Sequence, residues 1–333
     1  MQAKGRGKGT VRRTPAWRGI AAVAAVVLAI TGCGGSQSSS GSSAPVKIAV
    51  VFYTKSIPYY QDMLRGFQDK AKELNVQLDV TYANFSVTDE VGLVENATTR
   101  RPQGMIVAPM DRQALVPPIR SAKAAGIPVI TVGDNLSADG LSSELTYVGQ
   151  SYKELGALKA QYLVGRLHGQ GQVLVVHGPR GLDYVEAQKE GYTEVFAKNP
   201  GIEVVEGPYG NLSSDVGLQT TENMLTTHPH PAAIFYDNDD LAIGGVQGLK
   251  ERNIDKSTVI MIASDGSKAA VDAVKNGALD MDVSVRPYAT GLLSLQTMYD
   301  HIVKKVTPPN PVPVKMLEIT KANVNSLKQL DYA

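Results

Sequence analysis

Cysteine is nearly absent from this chain. Cys33 is the only one in 333 residues, so no disulfide can form within it and stability must come from packing. Long apolar runs are scarce too: residues 19–32, GIAAVAAVVLAITG, are too few to cross a bilayer comfortably. The glycines of GPRG (178–181) lack phosphate-loop spacing, and Ser264 in ASDG lacks the pattern of a nucleophile elbow. His228 and His230, in THPHP, have no third metal ligand nearby in sequence and read as a turn held extended by its prolines. A catalytic base, nucleophile, metal or cofactor site is therefore not visible, and an enzyme is not expected. What the chain does have is apolar material: 43% hydrophobic against 20% charged residues suffices for a sizeable core and two domains.

The N-terminus reads as a processing signal. Lys4, Arg6, Lys8, Arg12, Arg13 and Arg18 precede the short apolar run, as in a secretory signal peptide. The run ends at ITGC, which resembles a bacterial lipobox, with Cys33 as the lipid-attachment residue. A core role for Cys33 is disfavoured because GGSQSSSGSS follows it and cannot build a core. The expected organisation is a signal peptide over 1–32, a Gly/Ser-rich linker over 33–45, and a globular region beyond. Loss of residues 1–32 removes six basic residues and no acidic ones, turning a net charge of +1 into −5. Nucleic acid is then an unexpected partner.

From residue 46 the pattern is α/β. Short β-rich runs at 46–53, 76–82, 104–109, 127–134 and 145–149 alternate with helical stretches, and a second series follows at 172–178, 202–207, 232–238, 258–266 and 279–285. Recurrence every ~30 residues with one helix between is the spacing of βαβ units, and two series predict two parallel sheets. In YYQDMLRGFQDKAKEL (59–74), Tyr60, Met63, Leu64, Phe67, Ala71 and Leu74 form one apolar stripe, with Pro58 placed at the helix start.

Several stretches together resemble the type 1 periplasmic-binding-protein family, in particular its ribose-binding branch: IAVVFYTKSIPYYQDMLRGF, GIPVITV, MLTTHPHPAAIFYDNDDLAIGGVQGLK and VIMIASDGSKAAVDAVKNGALDMDVSVRPYATG. The resemblance covers 46–330. It implies two Rossmann-like lobes with parallel central sheets joined by three crossings near 149–152, 285–288 and 311–315. The N-terminal lobe would comprise 46–150 plus 287–312 and the C-terminal lobe 151–286 plus 313–333. Ligand would sit between them, beyond the carboxyl ends of the strands.

FYDNDD (235–240) ends a strand in a polar cluster at such a place. The resemblance assigns Asn238 to ligand hydroxyls, being donor and acceptor like the hydroxyl itself, and makes Asp265 a ligand-binding carboxylate. Asp239 is expected to cap the next helix, with Asp237 and Asp240 solvated or bonded locally. A calcium loop is disfavoured because its alternating oxygens and later Glu are missing. Tyr59 and Tyr60 fall where the family places an aromatic pair, Tyr60 being the one expected in the core; Tyr53 and Tyr184 are further candidate lining residues. His177 is read as structural.

Departures from the family pattern are several. Ile57 and Ala108 stand where Asn is common, and the fourth strand ends Gly133, Asp134, Asn135, leaving Asp134 as the candidate there. Gln188 occupies the place of a cleft Arg, and Val285 with Arg286 beside it stands where a Gln is expected; Gln188 and Arg286 complete the candidate set. The ligand implied is a small, polar and neutral molecule, a sugar or polyol, with ribose itself in doubt. The family role is a monomeric lipid-anchored receptor on the outer face of the membrane or in the periplasm, feeding an ABC importer permease by hinge closure; coupling to a membrane kinase or chemoreceptor is the alternative.

Overall fold

The computed structural model describes residues 44–328. The stretch read as a signal peptide, Cys33 and nearly all of the expected linker lie outside the described residues, as do 329–333.

Five strands follow one another in the first half: β1 (Val46–Phe52), β2 (Val76–Tyr82), β3 (Gly104–Ala108), β4 (Val129–Val132) and β5 (Thr146–Gly149). With β11 (Val312–Pro313) at its edge, they form a parallel sheet ordered β11-β5-β4-β3-β1-β2. Its helices are α1 (Pro58–Leu74), α2 (Val87–Arg100), α3 (Val116–Ala124) and, from much later in the chain, α9 (Pro287–Lys304). The second sheet holds β6 (Gly171–His177), β7 (Ile202–Tyr209), β8 (Ala233–Tyr236), β9 (Ile260–Asp265), β10 (Met281–Ser284) and β12 (Leu317–Thr320), ordered β12-β10-β9-β8-β6-β7. Among the described strands only β12 pairs antiparallel, against β10. Around it lie α4 (Tyr152–Arg166), α5 (Asp183–Phe196), α6 (Ser214–Thr227), α7 (Asp239–Glu251) and α8 (Lys268–Asn276). Central strands such as β3 (GMIVA) and β8 (AIFY) are buried along their whole length, as expected where helices cover both faces of a parallel sheet.

The chain passes between the sheets after β5 into α4, after β10 into α9, and from β11 to β12. Leu155 and Leu163 of α4 belong to the core of the second sheet. Leu295 and Met298 of α9 belong to the core of the first. At the second crossing Arg286 adopts a left-handed φ of 53°. No helix among the described residues is long and apolar enough to cross a membrane.

Among the described residues, three helix pairs meet at facing glycines. A Cβ on Gly66 of α1 would lie 2.2 Å from the Tyr288 carbonyl oxygen of α9, and one on Gly291 of α9 would lie 2.1 Å from that of Met63. Gly156 of α4 and Gly191 of α5 repeat this at 2.1 Å from the Gln188 oxygen and 2.0 Å from the Lys153 oxygen. Gly217 of α6 and Gly244 of α7 do so at 2.1 Å and 1.9 Å. Each pair brings two backbones into direct contact, fixing how α5 and α7 sit over the second sheet.

Candidate functional site

The carboxyl ends of β1, β4, β8, β9 and β10 converge on one small cavity between the two sheets. From the first lobe it is lined by Tyr53, Ile57, Tyr59, Tyr60 and Asp134. From the second come Tyr152, Tyr184 and Asn238, then Leu212, Asp265 and Val285. Its volume is about 50 Å³, far below the roughly 300–1,000 Å³ of ligand pockets. The lobes are therefore shut on each other, and a ligand can enter only if they part. Two contacts join them, one beside the cavity and one from its wall. Arg112 pairs with Asp183 across the gap, and the Tyr152 hydroxyl donates to the Gly133 carbonyl at 2.7 Å.

Local sequence explains how each group arrives. Gly133, at φ 74°, turns the chain sharply after β4, and a Cβ there would come 3.1 Å from the Tyr60 hydroxyl. A left-handed glycine is what lets Asp134 turn inward beside the aromatic wall. In that wall, Tyr60 stacks edge-on with Tyr53 (4.9 Å) and Tyr59 (5.0 Å). Tyr60 is thus both core and lining: it is 4% exposed and packs on Phe52. Tyr184 stands at the second position of α5 and meets Tyr152 at 5.8 Å. Asp265 ends β9 with φ 152°, a region that non-glycine residues seldom occupy and that tends to mark functional sites.

The cavity lining carries two carboxylates and no cation. Burial, reinforced by the charge of Asp183 and offset in part by Arg112, pushes Asp134 up to about 7. Burial and the charges of Asp239 and Asp240 likewise raise Asp265, against the pull of Lys159 and a hydrogen bond from Asn238. The phenols of Tyr53, Tyr59 and Tyr184 are raised by burial and stay neutral. The Asp134 Oδ1 and Tyr184 hydroxyl have no hydrogen-bond partner in the protein, an unusual state for buried polar atoms and one that a ligand would relieve.

Beneath the second lobe's share of the cavity lies a buried lysine. Lys159 Nζ donates to Gln188 Oε1 at 3.0 Å, to the Tyr236 carbonyl at 2.7 Å and to Ser264 Oγ at 3.0 Å, and sits 4.1 Å over the Phe235 ring. It ties α4, α5, β8 and β9 together directly behind Asn238 and Asp265. Burial lowers its pKa to about 8, opposed mainly by Asp237 and Asp265.

Several expectations need correction here. Gln188 does not line the cavity; it is wholly buried, engaged by Lys159 and by the Asp237 carbonyl (3.3 Å), because its place on α5 turns it toward the sheet. Arg286 lies outside the lining as well, its left-handed backbone sitting at the crossing into α9. The cap of α7 is Asn238, whose Oδ1 accepts from Leu241 N at 3.1 Å, and not Asp239. Asp239 is buried and accepts from Ser267 N at 2.7 Å. Asp237 is likewise buried, accepting from Gly178 N at 2.9 Å and meeting His177 Nδ1 at 3.2 Å. His177 is a structural link, its other nitrogen 2.5 Å from Glu206 and its ring stacked on Tyr209. Tyr152 and Leu212 joined the lining unforeseen; their signal is a position just past a strand end, after β5 and β7. No group of three or more His, Cys, Asp or Glu among the described residues could hold a metal ion.

A family profile described as a periplasmic binding protein domain matches residues 48–305. The chain belongs to the periplasmic binding protein family. Within it, the chain is 29% identical over 308 residues to a xylitol-binding protein of Mycolicibacterium smegmatis, covering 92% of this chain and 86% of that one. It is 28% identical to the D-allose-binding periplasmic protein of Escherichia coli, covering 79% and 86%. Among solved structures, a periplasmic ribose ABC transporter protein from Conexibacter woesei superposes with a TM-score of 0.78 at 32% identity, covering 86% of this chain and 96% of that one. A solute-binding protein from Actinobacillus succinogenes with bound D-allose gives 0.80 at 28%, covering 85% and 100%. The two lobes are those of the type 1 fold. These relatives are binding proteins, not enzymes.

Proposed function

We propose that this chain is a lipid-anchored extracytoplasmic receptor that captures a sugar or polyol by closure of its two lobes and delivers it to an ABC importer permease. The observation that carries the reading is the cavity between the lobes, where tyrosine faces, Asn238, Asp265 and the unpartnered Asp134 Oδ1 and Tyr184 hydroxyl meet. Flat rings cover the apolar faces of a sugar, and carboxylate and amide groups accept and donate to its hydroxyls in a water-poor site. The relatives named for xylitol, D-allose and ribose support that ligand class. Opening exposes the two half-sites; closure buries the ligand against both, and the permease reads the closed shape as a monomer held near the membrane through Cys33.

The test is a thermal-shift and calorimetric screen of sugars and polyols, including xylitol, D-allose and D-ribose, with small-angle scattering on any hit. Binding of at least one compound is expected, with scattering showing the lobes closed on it; absence of binding across the whole panel overturns the reading. For the anchor, Cys33→Ala is expected to abolish membrane fractionation, and unchanged fractionation refutes it.

A further inference from the structure

The cavity's charge is unbalanced in a way that a neutral sugar does not correct. Asp134 and Asp265 line it, and no lysine, arginine or histidine does. Arg286, next to the lining residue Val285, stays outside the lining, and two other cations near the site are committed elsewhere. Arg112 is taken up by Asp183 and by the carbonyls of Asn135 (2.8 Å) and Leu136 (2.9 Å), and Lys159 by its three acceptors behind the site. Helix N-termini supply about half a positive charge each, but those of α5 and α7 already carry Asp183, Asp239 and Asp240 in their first turns, and Ser267 N at the start of α8 donates to Asp239.

The two carboxylates are not equivalent. Asp265 has the pull of Lys159 and of the Asn238 amide on its carboxylate. Asp134 is 8% exposed, and its Oδ1 has no partner. It stands beside Tyr53, Tyr59 and Tyr60, whose neutral rings line the same space. A buried carboxylate beside neutral tyrosine rings, with no protein cation bonded to it, is complementary to an ammonium group.

We propose that the ligand is a sugar or polyol bearing a protonated amine, an amino sugar or amino polyol, whose ammonium pairs with Asp134 against the tyrosine wall while its hydroxyls meet Asn238 and Asp265. This rests on the sugar or polyol reading of the same cavity. The raised pKa of Asp134 agrees with a carboxylate that lacks its counter-charge in the ligand-free protein.

The experiment is calorimetry at pH 7.5 on matched pairs differing only in the amine: glycerol and 3-amino-1,2-propanediol, D-glucose and D-glucosamine, myo-inositol and an inosamine, xylitol and 1-amino-1-deoxyxylitol. In at least one pair the amine is expected to bind tenfold or more tightly, and Asp134→Asn is expected to reduce that preference to less than threefold. The wild-type comparison stands whether or not the variant folds. If neutral members bind as well as their amines or better in every pair, the inference is overturned and the sugar or polyol reading survives. If no compound of either kind binds, here or in the wider screen, both fall together.

Discussion

Gly156→Ala and Gly165→Ala place the same methyl group on the same helix, and the structure predicts opposite signs for them. Both gain roughly 1 kcal/mol or somewhat less from replacing a helical glycine. At Gly165 the new Cβ meets nothing within 4 Å, so the gain stands. At Gly156 it would lie 2.1 Å from the Gln188 carbonyl oxygen, 2.6 Å from its Cα and 2.7 Å from its carbonyl carbon. These are backbone atoms, so no rotamer change removes the clash and α4 must move away from α5 by about an ångström. Overpacking of this kind costs typically 1–3 kcal/mol, sometimes more. Gly156→Ala is therefore expected to lose about 1–2 kcal/mol net, and Gly165→Ala to gain about 0.5–1 kcal/mol. At ~2–4 °C per kcal/mol for a protein of this size, thermal unfolding should separate the variants by roughly 3–12 °C. Displacement of α5 also moves Tyr184, so Gly156→Ala should weaken binding of any ligand found while Gly165→Ala leaves it unchanged. If both variants stabilise, or both shift alike, the α4–α5 contact is soft and the argument from facing glycines fails.

Three further expectations concern the cleft and its support. Asn238→Ala should abolish ligand binding and also cost ~1 kcal/mol of stability, because the side chain caps α7; Asn238→Asp should restore the stability without the binding, and equal stability of all three forms by urea unfolding would contradict the cap. Asp183→Asn removes the charge that Arg112 meets across the lobes and should raise the radius of gyration of the ligand-free protein in scattering; an unchanged profile would show that the pair does not hold the lobes shut. His177 is pushed up to about 9, burial being outweighed by Asp237 and Glu206. Its folded value exceeds its unfolded one, so its contribution is complete below pH ~6.5 and is lost as pH rises through ~9. Between pH 6.5 and 8 the wild type should lose about 1.5 kcal/mol more than His177→Gln; parallel pH profiles would refute the assignment.

Much of the scaffold could be read from the chain because the signals were local. Runs such as GMIVA and AIFY are fully buried strands, and the stripe from Tyr60 to Ala71 is the buried face of α1. The edge strands β11 and β12 escaped because both are short, β11 carries a proline, and their pairing is set by distant partners. Which residues line the cavity was legible where a place at a strand end settles direction, as for Asp134, Asn238 and Asp265. It was not where direction depends on three-dimensional partners. Lys159 reads as a surface lysine in YKELGALKAQYLVGR, yet it is wholly buried, because Gln188, Ser264 and a β8 carbonyl wait for it. Gln188, placed in the cleft by position, is consumed by that same lysine.

The bond between Arg112 and Asp183 joins the lobes without lining the cavity. Any such clasp biases the empty receptor toward the shape that the proposed permease recognises, tenfold in population for each 1.4 kcal/mol. Vacant but shut receptors would then compete with loaded ones for the same docking face. The strength of one surface pair would thereby set the idle traffic at the importer, independently of how tightly cargo is held.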